Sequence, residues 1–498
     1  MDGKYLSDAA HFPGGHAAGI AVPRGTAEIQ DIVRAARTIL PVGAQSSLTG
    51  GATPMGEVVL STEKLTRVLD AGPSKIRVEA GVPVAVIQET LAMHGAWFPP
   101  TPTFTGALAG GIVATNAAGA ATFRHGAVRP WVDELTVVLA DGFELTVRRG
   151  ETRARGHRLA VPTARGTVEV PVPTYLMPDV VKRSAGYHAE PGMDLIDLFI
   201  GSEGTLGVIT TVTFRVLSPV PTTTMALVPC ESEDEAIALV AELRREPAVA
   251  AIEHMDRRCL EILDEDGADR RCDVRFPPGT ALALLVQMEL LPGTTEAEAF
   301  AEIEASLTDG SPGTAIARVC RLLKAHGVFD NTEMALPGNR RRAEQLIAVR
   351  EAVPAGVNQR VGRAQLDIDP RIAKTAADMI VPFERFGEMM TIYRDGFASR
   401  GLDFAVWGHI SDGNVHPNVL PRSYADVERG KEAILYFGHE VARLGGCPLA
   451  EHGVGRNPVK QALLRGLYGD AGIEEMRAVK RALDPEWKLA PGVIFPGP

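Results

Sequence analysis

Two histidines in the C-terminal third of the chain have the spacing of a metal-binding pair. His409 and His416 flank the pair Asp412-Gly413, and Asp-Gly is a preferred sequence for a two-residue hairpin turn. A turn at this pair would place the two histidines directly opposite each other on one face of a two-stranded ladder. Opposed residues have Cβ atoms roughly 5 Å apart, which lets two imidazoles share one metal ion. The spacing therefore predicts a hairpin in which two histidines could bind one metal ion.

A carboxylate that could complete this site follows in residues 450–455, which read Ala-Glu-His-Gly-Val-Gly. Glu451 and the two histidines would form a two-histidine, one-carboxylate ligand set that leaves coordination positions open for a substrate. The alternative interpretation is a hairpin with two surface histidines and no metal. The Glu-His-Gly-x-Gly segment favours the metal site over that alternative.

Length and composition indicate a multi-domain enzyme. A chain of 498 residues is expected to form two or three domains. A net charge of −11 disfavours nucleic-acid binding, and no basic run argues otherwise. No apolar segment reaches membrane-spanning length, and the N-terminal residues do not resemble a secretory signal. We therefore expect a cytoplasmic protein, with loose association with a membrane left open.

The cysteines do not indicate a redox centre. They are five in number and none forms a Cys-x-x-Cys pair, which disfavours both an iron–sulfur cluster and a disulfide framework. Reduced thiols fit a cytoplasmic location. The cysteines are Cys230, Cys259, Cys272, Cys320 and Cys447.

Three glycine-rich segments in the N-terminal half indicate a bound nucleotide. They cover residues 42–51, 110–119 and 201–207. Glycine-rich loops let backbone N–H groups approach an anion such as a pyrophosphate. No Gly-x-Gly-x-x-Gly follows the first strand and no Gly-x-x-x-x-Gly-Lys-Ser/Thr occurs, which argues against a Rossmann NAD site and against a P-loop. Three such loops favour one large dinucleotide that lies across them.

The middle of the chain begins after a Pro/Thr-rich boundary at residues 218–224. A strand, a capped helix and a second strand follow, and then another strand and helix. This order predicts an antiparallel sheet with helices on one face.

These segments together carry a family resemblance. The chain resembles FAD-linked oxidoreductases of the vanillyl-alcohol-oxidase type. Within them it is similar to the branch that contains D-lactate dehydrogenases, the flavin subunit of glycolate oxidase and D-2-hydroxyglutarate dehydrogenase. The matching segments are residues 41–52, 110–119, 182–187, 201–210, 409–416, 451–455, 483–485 and 491–492.

The resemblance implies an α+β fold in three parts. Residues 1–219 are expected to form an FAD-binding domain with two subdomains. Residues 220–443 are expected to form a substrate or cap domain in which helices cover an antiparallel sheet. Residues 444–498 are expected to return to the flavin domain.

The resemblance also implies roles for individual residues. His409, His416 and Glu451 match the ligands of a divalent metal, which is expected to be Zn, Mn or Fe. His452 matches the catalytic base, and Arg350 matches an arginine that binds the substrate carboxylate. The residues implied for FAD are Gly43, Ala44, Gln45, Ser46, Ser47, Thr49, Gly50, Gly51, Gly110, Gly111, Thr115, Asn116, Gly119, Glu203, Gly207 and Val208.

The implied reaction is the FAD-dependent oxidation of a D-2-hydroxy acid, such as D-lactate, glycolate or D-2-hydroxyglutarate, to the 2-oxo acid. The metal would hold the substrate, and a hydride would pass to flavin N5. The FAD is expected to be non-covalent; His125 is the histidine weighed for covalent attachment. The electron acceptor is left open among a quinone, a cytochrome, an electron-transfer flavoprotein and oxygen. A homodimer is also left open.

Three positions depart from the family pattern. Ser411 stands where the histidine segment usually has a glycine, and Gln45 stands where the first loop usually has one. Ala376 occupies the place of a basic substrate-binding residue in several relatives, with Lys374 two residues earlier. These departures weaken any choice of one substrate but leave the reaction class unchanged.

Two other functions compete with this one. The first is a flavin transferase without net oxidation, which resembles the alkyl-dihydroxyacetone-phosphate synthases. The second is a metal-binding protein that has lost its flavin, which the three intact glycine-rich loops disfavour.

Overall fold

The computed structural model describes residues 3–100, 102–308 and 313–497. The chain forms two compact units. The first unit comprises Met1–Gly119, Gly126–Pro219 and Cys447–Pro498. The second unit comprises Ala120–His125 and Val220–Gly446.

The described residues contain strands of two to nine residues. The strands are β1 (Gly19–Ala21), β2 (Ile39–Val42), β3 (Val58–Ser61), β4 (Val68–Ala71), β5 (Lys75–Glu79), β6 (Val132–Val138), β7 (Glu144–Arg148), β8 (Arg158–Thr163), β9 (Gly166–Pro171), β10 (Val208–Arg215), β11 (Thr222–Cys230), β12 (Val249–Met255), β13 (Leu282–Leu290), β14 (Glu333–Ala335), β15 (Met379–Ile380), β16 (Phe404–His409) and β17 (Asn414–Val419).

The helices are α1 (Thr26–Ala35), α2 (Val84–Ala92), α3 (Ala109–Ala114), α4 (Thr122–His125), α5 (Leu195–Phe199), α6 (Glu233–Leu243), α7 (Arg257–Glu265), α8 (Ala268–Arg271), α9 (Glu296–Ser306), α10 (Ala315–Ala325), α11 (Arg340–Asp367), α12 (Phe386–Ala398), α13 (Tyr424–Arg443) and α14 (Pro458–Leu483). None of these described helices combines the length and the apolar character needed to cross a membrane.

The first unit contains three sheets. Strands β1, β3 and β2 form a parallel sheet in that order. Strands β4, β5, β10, β6 and β7 form an antiparallel sheet, and β8 and β9 form a hairpin. Helix α1 packs by Ile29 and Val33, which are fully buried and four residues apart on one helical face. The N-cap residue of this helix is Gly25.

The second unit is built on one antiparallel sheet of seven strands in the order β14-β11-β13-β12-β16-β17-β15. Its apolar core includes Met255 of β12 and Val349 of α11. His254 immediately precedes Met255 in β12. The centroid of its ring lies 6.2 Å from the ring centroid of Phe386 in α12. Successive strand residues point to opposite faces, so α11 and α12 cover opposite faces of the sheet.

Helices therefore cover both faces, and the expectation of helices on one face was wrong. The physical reason lies in β12, where all seven residues are buried. A strand that is buried at every position must be covered on both sides. The predicted α+β class and the antiparallel sheet covered by helices are confirmed. All five cysteines are free thiols.

Candidate active site

The two histidines of the second unit lie on neighbouring strands but not in the predicted register. His409 pairs with Asn414, and His416 pairs with Trp407. The predicted two-residue turn, with His409 opposite His416, was wrong. The connection is a short 3-10 turn at Ile410–Asp412 followed by Gly413.

Gly413 explains this longer turn. Its φ is 83°, in the left-handed region, and a Cβ at this position would lie 2.2 Å from the carbonyl oxygen of Val381. The resulting register differs from the predicted one by an even number of residues, which leaves every side chain on its expected face. His409 and His416 therefore still share a face, and their ring centroids are 5.5 Å apart.

A carboxylate lies beside the Nδ1 atom of each of these histidines. Nδ1 of His409 is 2.5 Å from Oε1 of Glu253 on β12, and both side chains are buried. Nδ1 of His416 is 3.4 Å from Oδ1 of Asp378. An ionised carboxylate only accepts hydrogen bonds, so the Nδ1 atom of His409 donates to Glu253. This tautomer leaves Nε2 with the lone pair that a metal requires.

Arg350 on α11 reaches the same glutamate. Its Nε donates to Oε2 of Glu253 over 2.6 Å, and its side chain is only 13% exposed. Burial alone would raise the pKa of Glu253, but Arg350 and His409 outweigh it and lower the pKa to about 2. Glu253 is therefore ionised in the folded protein and binds both of its neighbours.

Ser411 has a structural role in the turn. It is fully buried, and its hydroxyl accepts the backbone N–H of Ile252 over 3.2 Å. Its carbonyl oxygen accepts from Nε of Arg244, whose guanidinium lies 4.2 Å from the ring centroid of Phe383. A glycine in this position could not accept the Ile252 N–H. The serine that departs from the family pattern therefore links the histidine turn to β12.

Ala376, Lys374 and His125 also lie in the second unit. Ala376 forms an isolated bridge with Asn418, the residue two positions after His416. Lys374 is exposed. His125, weighed for covalent attachment of FAD, lies in the second unit with its Nε2 atom 2.8 Å from Glu289. This contact supports a packing role for His125.

The first unit contains a cleft lined by the three glycine-rich segments. Most residues predicted to hold FAD line it: Gly43, Ala44, Gln45, Ser46, Ser47, Thr49, Gly51, Gly110, Gly111, Thr115, Glu203, Gly207 and Val208. Gly50, Asn116 and Gly119 are not among the lining residues. Gly50 lies against Phe12, and Oδ1 of Asn116 accepts the backbone N–H of Arg129.

The first loop of the cleft fits a pyrophosphate. Within the part of the chain that the structure describes, the backbone N–H groups of residues 44–47 donate to no backbone acceptor. Successive N–H groups of this kind form an anion-binding concavity. Gln45 has a φ of 53°, in the left-handed region that glycine adopts most easily. This backbone conformation explains why the family usually has a glycine at this position. Its side-chain amide donates to the carbonyls of Ser7 and Ala52 and so closes the loop.

Glu451 and His452 line the same cleft. The carboxylate of Glu451 is 2.6 Å from Nζ of the fully buried Lys182. Glu203, which has a φ of 51°, accepts the backbone N–H groups of Val454 and Gly455 over 2.8 Å each. Two charged side chains of the first unit therefore hold the short segment that carries His452.

Sequence reasoning did not identify Glu253, Asp378 or Lys182 as site residues. Glu253 and Asp378 carry no local motif, because their partners lie far along the chain. The only signal for Lys182 was its place at the start of the matching segment 182–187.

Comparison with known families agrees with this geometry. Residues 17–148 match the FAD binding domain, and residues 221–494 match the C-terminal domain of FAD linked oxidases. The chain belongs to the family of FAD-linked oxidases, and it is an FAD-linked oxidoreductase.

Curated relatives cover nearly the whole chain. The chain is 28% identical over 490 residues to D-2-hydroxyglutarate dehydrogenase of Xanthomonas citri pv. viticola, covering 96% of this chain and 89% of the relative. It is 28% identical over 486 residues to D-lactate dehydrogenase of Archaeoglobus fulgidus, covering 95% and 90%. It is 26% identical over 489 residues to glycolate oxidase subunit GlcD of Bacillus subtilis, covering 96% and 88%.

Among solved structures, an alkyldihydroxyacetonephosphate synthase matches with a TM-score of 0.57 and 14% identity. The match covers 95% of this chain and 76% of the synthase. At this identity the similarity establishes a shared fold and nothing further.

Proposed function

We propose that this enzyme oxidises a D-2-hydroxy acid to the corresponding 2-oxo acid with non-covalent FAD. The names of the relatives, which are dehydrogenases or oxidases of 2-hydroxy acids, support this substrate class. Bound FAD would supply the hydride acceptor, its N5 atom. The electron acceptor that follows, the cytoplasmic location and a homodimer stay predictions.

One observation carries the proposal. The cleft of the first unit is lined both by the three glycine-rich segments and by His452. A base in a cofactor cleft can accept a proton while the cofactor accepts a hydride from the same substrate. An oxidation of an alcohol requires both transfers.

In the proposed reaction, His452 would accept the proton of the substrate hydroxyl, and bound FAD would take the hydride from C2. Arg350 binds the substrate carboxylate through its Nη atoms, since Glu253 engages its Nε atom. The Lys182–Glu451 pair and Glu203 hold the segment that carries His452.

We further propose that His409 and His416 bind a divalent cation. Both imidazoles have a carboxylate beside Nδ1, an arrangement typical of metal-binding histidines. Glu451 is assigned as third ligand from the sequence resemblance. Imidazole and carboxylate ligands suit Zn, Mn or Fe. The metal would lower the pKa of the substrate hydroxyl.

The test is the visible spectrum of the purified enzyme, recorded without oxygen before and after addition of D- and L-2-hydroxy acids. We expect the flavin bands to bleach with a D-acid and not with its L-partner. A flavin that no hydroxy acid reduces would contradict the proposal. It would favour the transferase alternative, whose reaction involves no net reduction of the flavin. A protein that binds no flavin would contradict both.

A further inference from the structure

Three charged or polar side chains meet on one face of the sheet in the second unit. Glu253 lies between His409 and Arg350, and each of its carboxylate oxygens binds one of them. The distances are 2.5 Å to Nδ1 of His409 and 2.6 Å to Nε of Arg350. The exposed fraction of the Glu253 side chain is 8%. One buried carboxylate therefore contacts both groups.

Each contact decides which atoms of the partner are left for ligands. Nδ1 of His409 donates to Glu253, so Nε2 is the unprotonated nitrogen, whose lone pair can bind a metal. Nε of Arg350 is occupied, so the two Nη atoms remain for a bidentate interaction with another carboxylate. Glu253 thus orients two groups for their ligands. These are the Nε2 atom of His409, for a metal, and the Nη atoms of Arg350, for a carboxylate.

We propose that Glu253 is a positioning residue that couples metal binding at His409 to binding of the substrate carboxylate at Arg350. In this role Glu253 would bind neither the metal nor the substrate itself, because its two carboxylate oxygens bind His409 and Arg350. A rotation of its carboxylate would move both the imidazole and the guanidinium, so the binding of one ligand favours the geometry that binds the other. This inference rests on the proposed function and names the residue through which two of its groups act together.

The substitution Glu253→Gln tests this role with little change in volume. A glutamine offers one acceptor oxygen, and its NH2 group is a donor. Both neighbouring atoms, Nδ1–H of His409 and Nε–H of Arg350, are also donors. The amide can therefore satisfy only one of them and must face the other with a like group.

A matched control exists in the same unit. Glu246 accepts from Nε of Arg318 over 2.7 Å, which reproduces the Glu253–Arg350 contact away from the histidines. Glu246→Gln removes a comparable ion pair without touching His409 or Arg350. A purely structural effect of losing such a pair would appear in both variants.

The experiment is calorimetric titration of the metal-stripped holoenzyme with Zn2+, with and without pyruvate. Pyruvate is a 2-oxo acid that the enzyme cannot oxidise at C2. In the native enzyme we expect each ligand to tighten the other by the same factor. In Glu253→Gln we expect the affinity for Zn2+ to fall by roughly 10- to 100-fold, the affinity for pyruvate to fall as well, and the mutual tightening to disappear. Glu246→Gln should behave as the native enzyme.

Two further variants separate the contributions. Glu253→Asp keeps the charge, so we expect partial recovery of both affinities if the carboxylate is what matters. Arg350→Lys should weaken pyruvate binding and leave the affinity for Zn2+ near the native value, because the Glu253–His409 contact remains.

A Glu253→Gln enzyme that binds both ligands with native affinity and native coupling would overturn the inference. So would a variant that loses affinity for only one of them, since Glu253 would then serve one group alone. A native holoenzyme that binds neither Zn2+ nor pyruvate would contradict the proposed function itself, and the coupling role with it.

Discussion

At the scale of single residues, carboxylates decide what the histidines of the second unit can do. Glu253 binds Nδ1 of His409 directly, whereas Asp378 lies 3.4 Å from Nδ1 of His416 and also accepts from the amide of Asn414. A paired carboxylate selects the tautomer of an imidazole and raises its basicity as a ligand. The chemistry of these histidines therefore depends on residues that no local motif identifies.

His452 provides the sharpest prediction at this scale. We expect His452→Gln to slow reduction of the flavin by roughly 10²- to 10⁴-fold, because the substrate hydroxyl loses its proton acceptor. FAD should remain bound, since the glycine-rich loops are unchanged. The measurements are anaerobic stopped-flow reduction by the best D-2-hydroxy acid and the flavin content by absorbance.

The control for this variant is His94→Gln, which changes an exposed histidine of the first unit. It should reduce its flavin at the native rate. Native rates in His452→Gln would remove this residue from the mechanism.

At the scale of elements, the turn after β16 is held from outside the hairpin. Ser411 accepts the N–H of Ile252, near a register shift in the pairing of β12 with β13. We expect Ser411→Ala to lower the free energy of unfolding of the second unit by about 1–3 kcal/mol, because a buried N–H loses its acceptor. Denaturant titration followed by intrinsic fluorescence measures this change.

Ser399→Ala is the matched control for the turn. The Ser399 hydroxyl donates to the carbonyl of Gly396 near the end of α12. Its loss should change the stability by less than about 0.5 kcal/mol. Equal effects of the two substitutions would show that the Ser411 contact has no special weight.

The start of α7 predicts a pH dependence. Asp256 caps this helix by accepting the N–H of Cys259 and also accepts the N–H of Val406, both over 2.8 Å. Burial raises the pKa of Asp256 to about 6. The folded state therefore retains the proton more strongly than the unfolded chain, and the contribution of this group to stability falls as the pH rises from about 4 to about 6.

Asp256→Asn should remove that dependence. We expect the stability of the native enzyme minus that of the variant to decrease by about 2 kcal/mol between pH 4 and pH 7. The exposed Asp234→Asn variant serves as the reference, and its stability should follow the native curve. A difference between native and Asp256→Asn that does not change with pH would contradict the assignment.

At the scale of the whole molecule, the chain forms two compact units, and FAD binding is assigned to the first. A ligand stabilises only the part of a protein that binds it. We expect two transitions in differential scanning calorimetry of the FAD-free protein. Added FAD at 100 times its dissociation constant contributes about 2.7 kcal/mol and should raise only the transition of the first unit, by about 5 °C or more.

The Ser411→Ala variant identifies the two transitions. This substitution should lower the temperature of the second unit's transition and leave that of the first unit unchanged. A single transition that moves as a whole with FAD would show that the two units unfold cooperatively, against this prediction.

The sequence alone determined the features that depend on local geometry. The glycine-rich loops were recognisable because a close approach of backbone to an anion requires small residues and positive φ. His409 and His416 were expected on one face, and this expectation is confirmed although the turn was wrong. The period of a strand is two, so an even change of register preserves the face.

Only the tertiary structure decided which groups stand beside these residues. Glu253 is 156 positions from His409 and 97 from Arg350 along the chain. The three meet because β12 lies next to β16 and α11 packs against the same face of the sheet. The order of strands in a sheet follows from the burial of the whole core, which no local pattern of residues encodes. The sequence therefore indicated the ligands, and the fold supplied the partners that orient them.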